Sequence, residues 1–298
     1  MKKQFKLALV ATIIPVTTGL FVRYAMTHPE VLDKVGDMSP AMILALLFFY
    51  GLAFLALSLV LYVSLRMYDK TIGKQENLLL NAYSSLVNFF GPAQSGPAFR
   101  GVYLKKRHGF GVKRYMFTTL LYYAFYAVFS AFLLFVGSRP WWQTVLLMLA
   151  AAGCSYAILK WYARRSSLKD QPGINPVTLI WLAGAVALQM AALVGVYYVE
   201  LRSASPGVSF GQVLTYTGAA NFALFVSITP GAIGIREAFL VFSQNLHHIS
   251  NTAIVAANII DRAAYLIVLG LMFIMVIALH AKDKLHVRQV TSDQSSDS

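Results

Sequence analysis

Long apolar runs, separated by short polar patches, set the rhythm of this chain. Runs close to the roughly 20 residues that a helix needs to cross a bilayer recur at 5–24, 40–65, 113–137, 140–162, 176–200 and 252–280. Each predicts a spanning helix. Two segments, 77–110 and 210–249, are built differently: they start apolar, are interrupted by Pro and Gly, and become amphipathic. The sharpest interruption lies in "FVSITPGAIGIREAFLVF", Phe225 to Phe242, where apolar flanks enclose Pro230, Gly231, Gly234 and the adjacent charges Arg236 and Glu237.

Basic residues orient these elements, because loops rich in Lys and Arg stay cytoplasmic. Lys2, Lys3 and Lys6 precede the first span, and Arg66, Lys70 and Lys74 follow the second. Arg100, Lys105, Lys106, Arg107, Lys113 and Arg114 precede the third; Lys160, Arg164, Arg165 and Lys169 follow the fourth. Lys282, Lys284 and Arg288 follow the last. Both termini then face the cytoplasm. If 77–99 crossed completely, the richest basic cluster would lie outside. The charge pattern therefore predicts two re-entrant hairpins, the first dipping in from the cytoplasm and the second from outside, with kinked full spans as the alternative.

The two interrupted segments also resemble each other. Aligning Pro92 with Pro230 sets Gly96 opposite Gly234 without a gap, and both breaks lead into an amphipathic stretch and a long apolar span. Span, hairpin and span thus occur twice, at about 40–137 and about 176–280. The copies start on opposite sides, which makes an inverted repeat of the kind found in transporters, whose sites lie where broken helices meet. The predicted fold is an all-α integral membrane protein of about six full spans plus two broken-helix hairpins. It forms one transmembrane domain, 1–280, followed by a polar, disordered cytoplasmic tail, 281–298.

Composition agrees. Hydrophobic residues make up 58% and charged residues 12%, against about 25% charged in soluble domains. No stretch is long and polar enough for a soluble catalytic domain, and the motifs HExxH, GxxxxGK[ST] and GxSxG are absent, so no enzymatic activity is expected. The net charge of +13 reads as cytoplasmic loop charge and not as a nucleic-acid surface. Cys154 is the single cysteine, which rules out an intramolecular disulfide. The opening "MKKQFKLALVATIIPVTTGLFVRY" has the form of a signal peptide but a long apolar part and no clear cleavage site, and is read as a retained first helix.

Ionisable residues within apolar segments are the candidates for function, since a charge at the bilayer centre costs at least about 2.5 kcal/mol. Arg236, Glu237, Asp261 and Arg262 qualify. Cross-segment pairs of Arg236 with Asp261, or Glu237 with Arg262, are the expected arrangements, and such pairs could equally serve only to pin hairpin to helix. Free N–H groups at the helix start near Gly234, with the Arg236 guanidinium, suit an anion such as phosphate. In the first copy Arg100 follows Gly96 by four. His247 and His248 are consecutive and lack further ligands at metal spacing; no metal or cofactor is expected. The tyrosines Tyr122, Tyr123 and Tyr126 are expected to face inward only in part.

"ITPGAIGIREA" resembles the P-G-x-x-G-x-x-E-A signature of the lysylphosphatidylglycerol synthase transmembrane region, a flippase-like family of integral membrane proteins. "NFFGPAQSGPAFR" is similar to that family's earlier N-x-x-x-P-x-x-x-G-E-x-x-R element, except that Pro97 replaces the acidic residue. The resemblance marks Asn88, Pro92, Gly96 and Arg100, then Pro230, Gly231, Gly234, Glu237 and Ala238, then Arg262. It implies the lipid-translocating region alone, without the aminoacyltransferase domain of the best-known members, in the cytoplasmic (inner) membrane. A phospholipid or an isoprenoid or glycolipid headgroup, anionic in character, is the implied partner. A non-transporting lipid-binding role beside a lipid-biosynthesis enzyme is the alternative, and an integral-membrane transferase a third.

Overall fold

The computed structural model describes residues 38–90, 95–136, 140–165, 175–226 and 235–296, together with Arg23 and Met26. Regular structure among them is entirely helical. In chain order the helices are α1 (Pro40–Arg66), α2 (Lys74–Phe90), α3 (Ser95–His108), α4 (Val112–Val136) and α5 (Trp141–Arg165). They continue as α6 (Pro176–Ala204), α7 (Phe210–Val226), α8 (Ile235–Phe242), the single turn α9 (Gln244–His247) and α10 (Asn251–Ser296).

Local sequence sets the starts of two long apolar helices of the core, α1 and α6. Ser39 accepts the Met42 N–H at 3.3 Å, with Pro40 in the first turn of α1. Asn175 accepts the Val177 N–H at 2.9 Å, with Pro176 beginning α6. In both, a side chain caps an otherwise unpaired donor and Pro occupies a position that needs none.

Four helices are long and apolar enough to cross a membrane: Pro40–Arg66, Val112–Val136, Pro176–Ala204 and Asn251–Leu279. The protein is therefore an all-α integral membrane protein. These four match predicted spans. The predicted span at 140–162 falls on α5, whose apolar portion is Trp142–Ile158. It packs on α4 and leaves Trp142, Leu146, Leu149, Tyr156, Ile158 and Trp161 exposed, an outward face suited to lipid. The predicted span at 5–24 lies outside the described residues. The helical backbone of α10 runs as far as Ser296. Ala, Lys, Leu and Gln, all good helix formers, recur in "ALHAKDKLHVRQV" just past the apolar part.

Both interrupted segments are broken helices. The first runs as α2 and α3, packed against each other, and the second as α7, α8 and α9. Pro92, Pro230, Gly231 and Gly234 lie outside the described residues. α1 packs along α6, α4 packs on α7, and α10 packs on α2. The long helix that follows each interrupted segment thus contacts the other interrupted segment. A Cβ on Gly218 of α7 would collide with the Leu134 backbone nitrogen of α4, so glycine permits this backbone approach. The main core joins α1, α2, α6, α7 and α10 through Leu46, Leu86, Val196, Tyr216, Ile254 and Leu269.

Candidate functional site

Asp261 lies inside the apolar span Asn251–Leu279, yet both its carboxylate oxygens have donors. Tyr50 Oη of α1 donates to Oδ1 at 2.5 Å, and Arg236 Nη1 of α8 donates to Oδ2 at 2.5 Å. Burying two charges costs several kcal/mol per ion unless such hydrogen bonds compensate. Of the expected pairings, Arg236 with Asp261 is formed; the other involves the side chain of Glu237, which lies outside the described residues. The charge of Arg262, its chain neighbour, also acts on Asp261. Adjacent helix residues point about 100° apart, which lets the two diverge. Arg262 is itself buried.

Arg236 is 5% exposed, with its guanidinium over the ring of Tyr197 of α6 at 5.2 Å. A cation over an aromatic face gains about 0.5–2 kcal/mol. Tyr197 packs edge-on against Tyr216 of α7, and Tyr216 in turn against His247 of α9. Two donors of Arg236, Nε and Nη2, are buried with no hydrogen-bond partner. Such donors cost about 1–3 kcal/mol each, more when charged. They leave one edge of the guanidinium with its donors unsatisfied.

Glu200 of α6 was passed over in the sequence, yet it is 1% exposed and sits beside Asp261 and Tyr50. Its Oε1 has no hydrogen-bond partner. The available signal was an acid at the edge of the apolar run 176–200, where it reads as the end of the span. Tyr50 carried no signal, because a tyrosine within an apolar span reads as ordinary core.

The first broken segment holds a second polar cluster. The Gly96 N–H donates to Asn88 Oδ1 at 3.2 Å, and Ser95 Oγ donates to the Val87 carbonyl at 2.9 Å. Asn88 thereby clasps the start of α3 to the end of α2. A Cβ on Gly96 would sit 2.5 Å from the Ser84 carbonyl oxygen, so only glycine fits there. One turn on, Arg100 is 7% exposed and donates from Nη1 to Asn81 Oδ1 at 2.8 Å, while its Nε has no partner. Asn81 Nδ2 donates to Asn77 Oδ1 at 2.7 Å, and Asn77 Nδ2 to the Ser58 carbonyl of α1 at 2.9 Å. Arg100 does not join the Arg236 cluster. Between them run tyrosines of α4: Tyr122 and Tyr123 lie in the field of Arg100, and Tyr126 in that of Arg236. Tyr122 Oη donates to Gln189 Oε1 at 3.1 Å, and Tyr126 Oη to Asn221 Oδ1 at 2.9 Å. Tyr122 and Tyr126 are buried, further inward than the sequence suggested.

At the base of this segment Glu76 accepts from Tyr103 Oη at 2.7 Å and meets Arg107 Nε and His108 Nε2, each at 2.9 Å. Burial opposes ionisation of Glu76, but the bonds from Tyr103 and His108 and the charge of Arg107 outweigh it and hold the carboxyl below its usual range. Arg107, one of the basic residues that precede the third predicted span, is thus tied to Glu76. Both ring nitrogens of His247 have backbone partners, the Leu240 carbonyl at 3.0 Å and the Ile249 N–H at 3.2 Å. Among the described residues, no group of three His, Cys, Asp or Glu could hold a metal ion.

Fold and site together define an integral membrane protein with charged groups buried where a broken helix meets long spans. Residues 7–272 match the family described as the lysylphosphatidylglycerol synthase TM region, and the chain belongs to that family. No relative among the curated proteins matches it.

Proposed function

We propose that the protein moves a lipid headgroup between leaflets, with Arg236 receiving its phosphate. Membership of the lysylphosphatidylglycerol synthase TM family supports a role toward membrane lipids. The observation that carries the site is the Arg236 guanidinium: neutralised by Asp261 on one edge, it keeps two buried donors without partners on the other. A phosphate oxygen pair fits that edge in the bidentate manner arginine favours. The tyrosine and amide seam from Asn221 through Tyr126 and Tyr122 to Arg100 would offer hydrogen bonds along a headgroup's way.

In this reading the two broken helices are re-entrant hairpins of an inverted repeat, lying within one transmembrane domain. The reciprocal packing of α4 on α7 and α10 on α2 supports that symmetry. Alternating access then follows from rocking one half against the other about the hairpins. Both termini face the cytoplasm, the membrane is the cytoplasmic one, and the protein is a carrier without catalytic chemistry. Its substrate class is an anionic phospholipid or an isoprenoid or glycolipid phosphate.

The test is a leaflet-exchange assay on purified protein in liposomes, with labelled anionic, zwitterionic and cationic phospholipids. Protein-dependent exchange that favours anionic headgroups is the expected result. Folded protein that binds an anionic lipid without exchanging it would replace transport by lipid retention.

A further inference from the structure

We propose that the first broken segment holds an anion site of its own at Arg100, which takes a singly charged oxyanion of the phosphodiester type. The headgroup reading above places a phosphate at Arg236; the Arg100 site is separate from it and stands without it.

Each broken segment carries a buried arginine on its second arm, Arg100 on α3 and Arg236 on α8. Their partners differ in charge. Arg236 meets the carboxylate of Asp261. Arg100 meets an amide: its Nη1 donates to Asn81 Oδ1 at 2.8 Å, and among the described residues Asn81 is its one hydrogen-bond partner. The ion pairs among the described residues lie elsewhere, with Glu76 held by Arg107 and His108 and Asp261 by Arg236. An amide oxygen accepts a hydrogen bond but carries no charge to balance the guanidinium.

The contact with Asn81 is nonetheless a built one. Asn81 is fully buried. Its Nδ2 donates to Asn77 Oδ1 at 2.7 Å, and Asn77 Nδ2 donates to the Ser58 carbonyl of α1 at 2.9 Å. Every link donates in the same direction, which leaves Asn81 Oδ1 to face Arg100 as an acceptor. Turning the Asn81 amide over would set donors against donors. The chain thus fixes the Nη1 side of the guanidinium and does not reach Nε, which is buried without a partner. Nε and Nη2 form the fork that takes two oxygens of one oxyanion.

A structural clasp would not need this charge. Asn88 and Ser95 already tie the start of α3 to the end of α2, and a neutral donor would serve Asn81. A buried cation without a counter-charge is costly, and an anion from outside the chain removes that cost. Lys105 and Lys106, further along α3, are exposed, so Arg100 is the buried cation of this arm. One such charge suits a phosphodiester better than a doubly charged phosphate monoester. A lipid headgroup and a soluble phosphodiester share this chemistry.

The probes are dioctanoyl phosphatidylglycerol and glycerophosphoglycerol, the same headgroup without chains. Each is titrated by calorimetry into the purified, delipidated full chain in non-ionic detergent. Binding should persist in the variant Arg236→Met, Asp261→Leu, which has no guanidinium at the other site. Arg100→Gln should abolish that remaining binding, and Arg100→Lys, which keeps the charge but loses the fork, should weaken it about tenfold. Tighter binding of the lipid assigns the site to a headgroup, and equal binding of both probes to a soluble phosphodiester.

Wild-type binding that is lost in Arg236→Met, Asp261→Leu and untouched by Arg100→Gln would overturn the Arg100 site and leave the headgroup reading intact. Loss in the Arg100 variants alone would keep the Arg100 site and remove the phosphate from Arg236. Should Arg100→Gln not fold, Arg100→Lys decides, with unchanged affinity as the overturning result. Folded wild type that binds neither probe would overturn both sites.

Discussion

Arg236 and Asp261 stand 25 residues apart in the chain and meet at 2.5 Å, joining the short helix α8 to the long span α10. Their separation in sequence spans the turn before α10, so the ion pair ties the second broken segment to the helix that follows it. Tyr50 completes the junction from α1. Three elements that could slide past one another in lipid are held at one carboxylate.

Breaking this junction on one side should be worse than removing both charges. Asp261→Ala strands a buried guanidinium and should cost about 3–5 kcal/mol. Arg236→Met with Asp261→Leu removes both charges and should recover much of that loss. Thermal melting in detergent compares them. Equal destabilisation by the single and double changes would show that the pair contributes no coupling.

The first broken segment depends on close packing at Gly96. Gly96→Ala places a methyl within 2.5 Å of the Ser84 carbonyl oxygen, a backbone atom that cannot rotate away. A cost of about 1–3 kcal/mol is expected, with faster hydrogen exchange across α3. Gly73, with open space around its Cβ position, provides the control: Gly73→Ala should leave exchange in α3 unchanged.

Asn88 should act through geometry alone. Its side chain accepts the Gly96 N–H, as a cap does, and Asn88→Ala should cost about 1 kcal/mol. Asn88→Asp keeps the acceptor and should hold the melting point closer to wild type. Equal loss in both would mean that the Asn88 amide group serves some other contact.

Acid should loosen the base of α2 and α3. The carboxyl of Glu76 is held below its usual range in the folded protein. Its contribution is therefore complete above the unfolded carboxyl's pKa, and is lost as pH falls through that value toward the lowered folded one. The melting point against pH should show an acid limb that Glu76→Gln flattens. An unchanged limb would assign the acid sensitivity to other groups.

The sequence was most legible where a residue type has few uses in lipid. Pro92 and Pro230, with Gly96 and Gly234, located both interruptions: the helices α2–α3 and α7–α8 flank Pro92, Pro230 and Gly234, and Gly96 lies in the first turn of α3. Arg236 and Asp261 stood out because charges are expensive in an apolar run, and their pairing could be named before it was seen. Glu200 was missed because it falls where an apolar run ends, and hydropathy cannot tell a buried acid from a boundary one. Tyr50, Tyr122 and Tyr126 were illegible for another reason: a tyrosine suits core, interface and polar seam alike, and only packing decides.

The most direct test of the account is leaflet exchange by Arg236→Lys, in liposomes, on protein whose melting point is within a few degrees of wild type. Lysine keeps the charge that Asp261 requires but lacks the second pair of donors that a phosphate would use. The account predicts that exchange of anionic phospholipid falls at least tenfold in Arg236→Lys while the fold is retained. Exchange at the wild-type rate would contradict it, and would reduce Arg236 to a pin between α8 and α10.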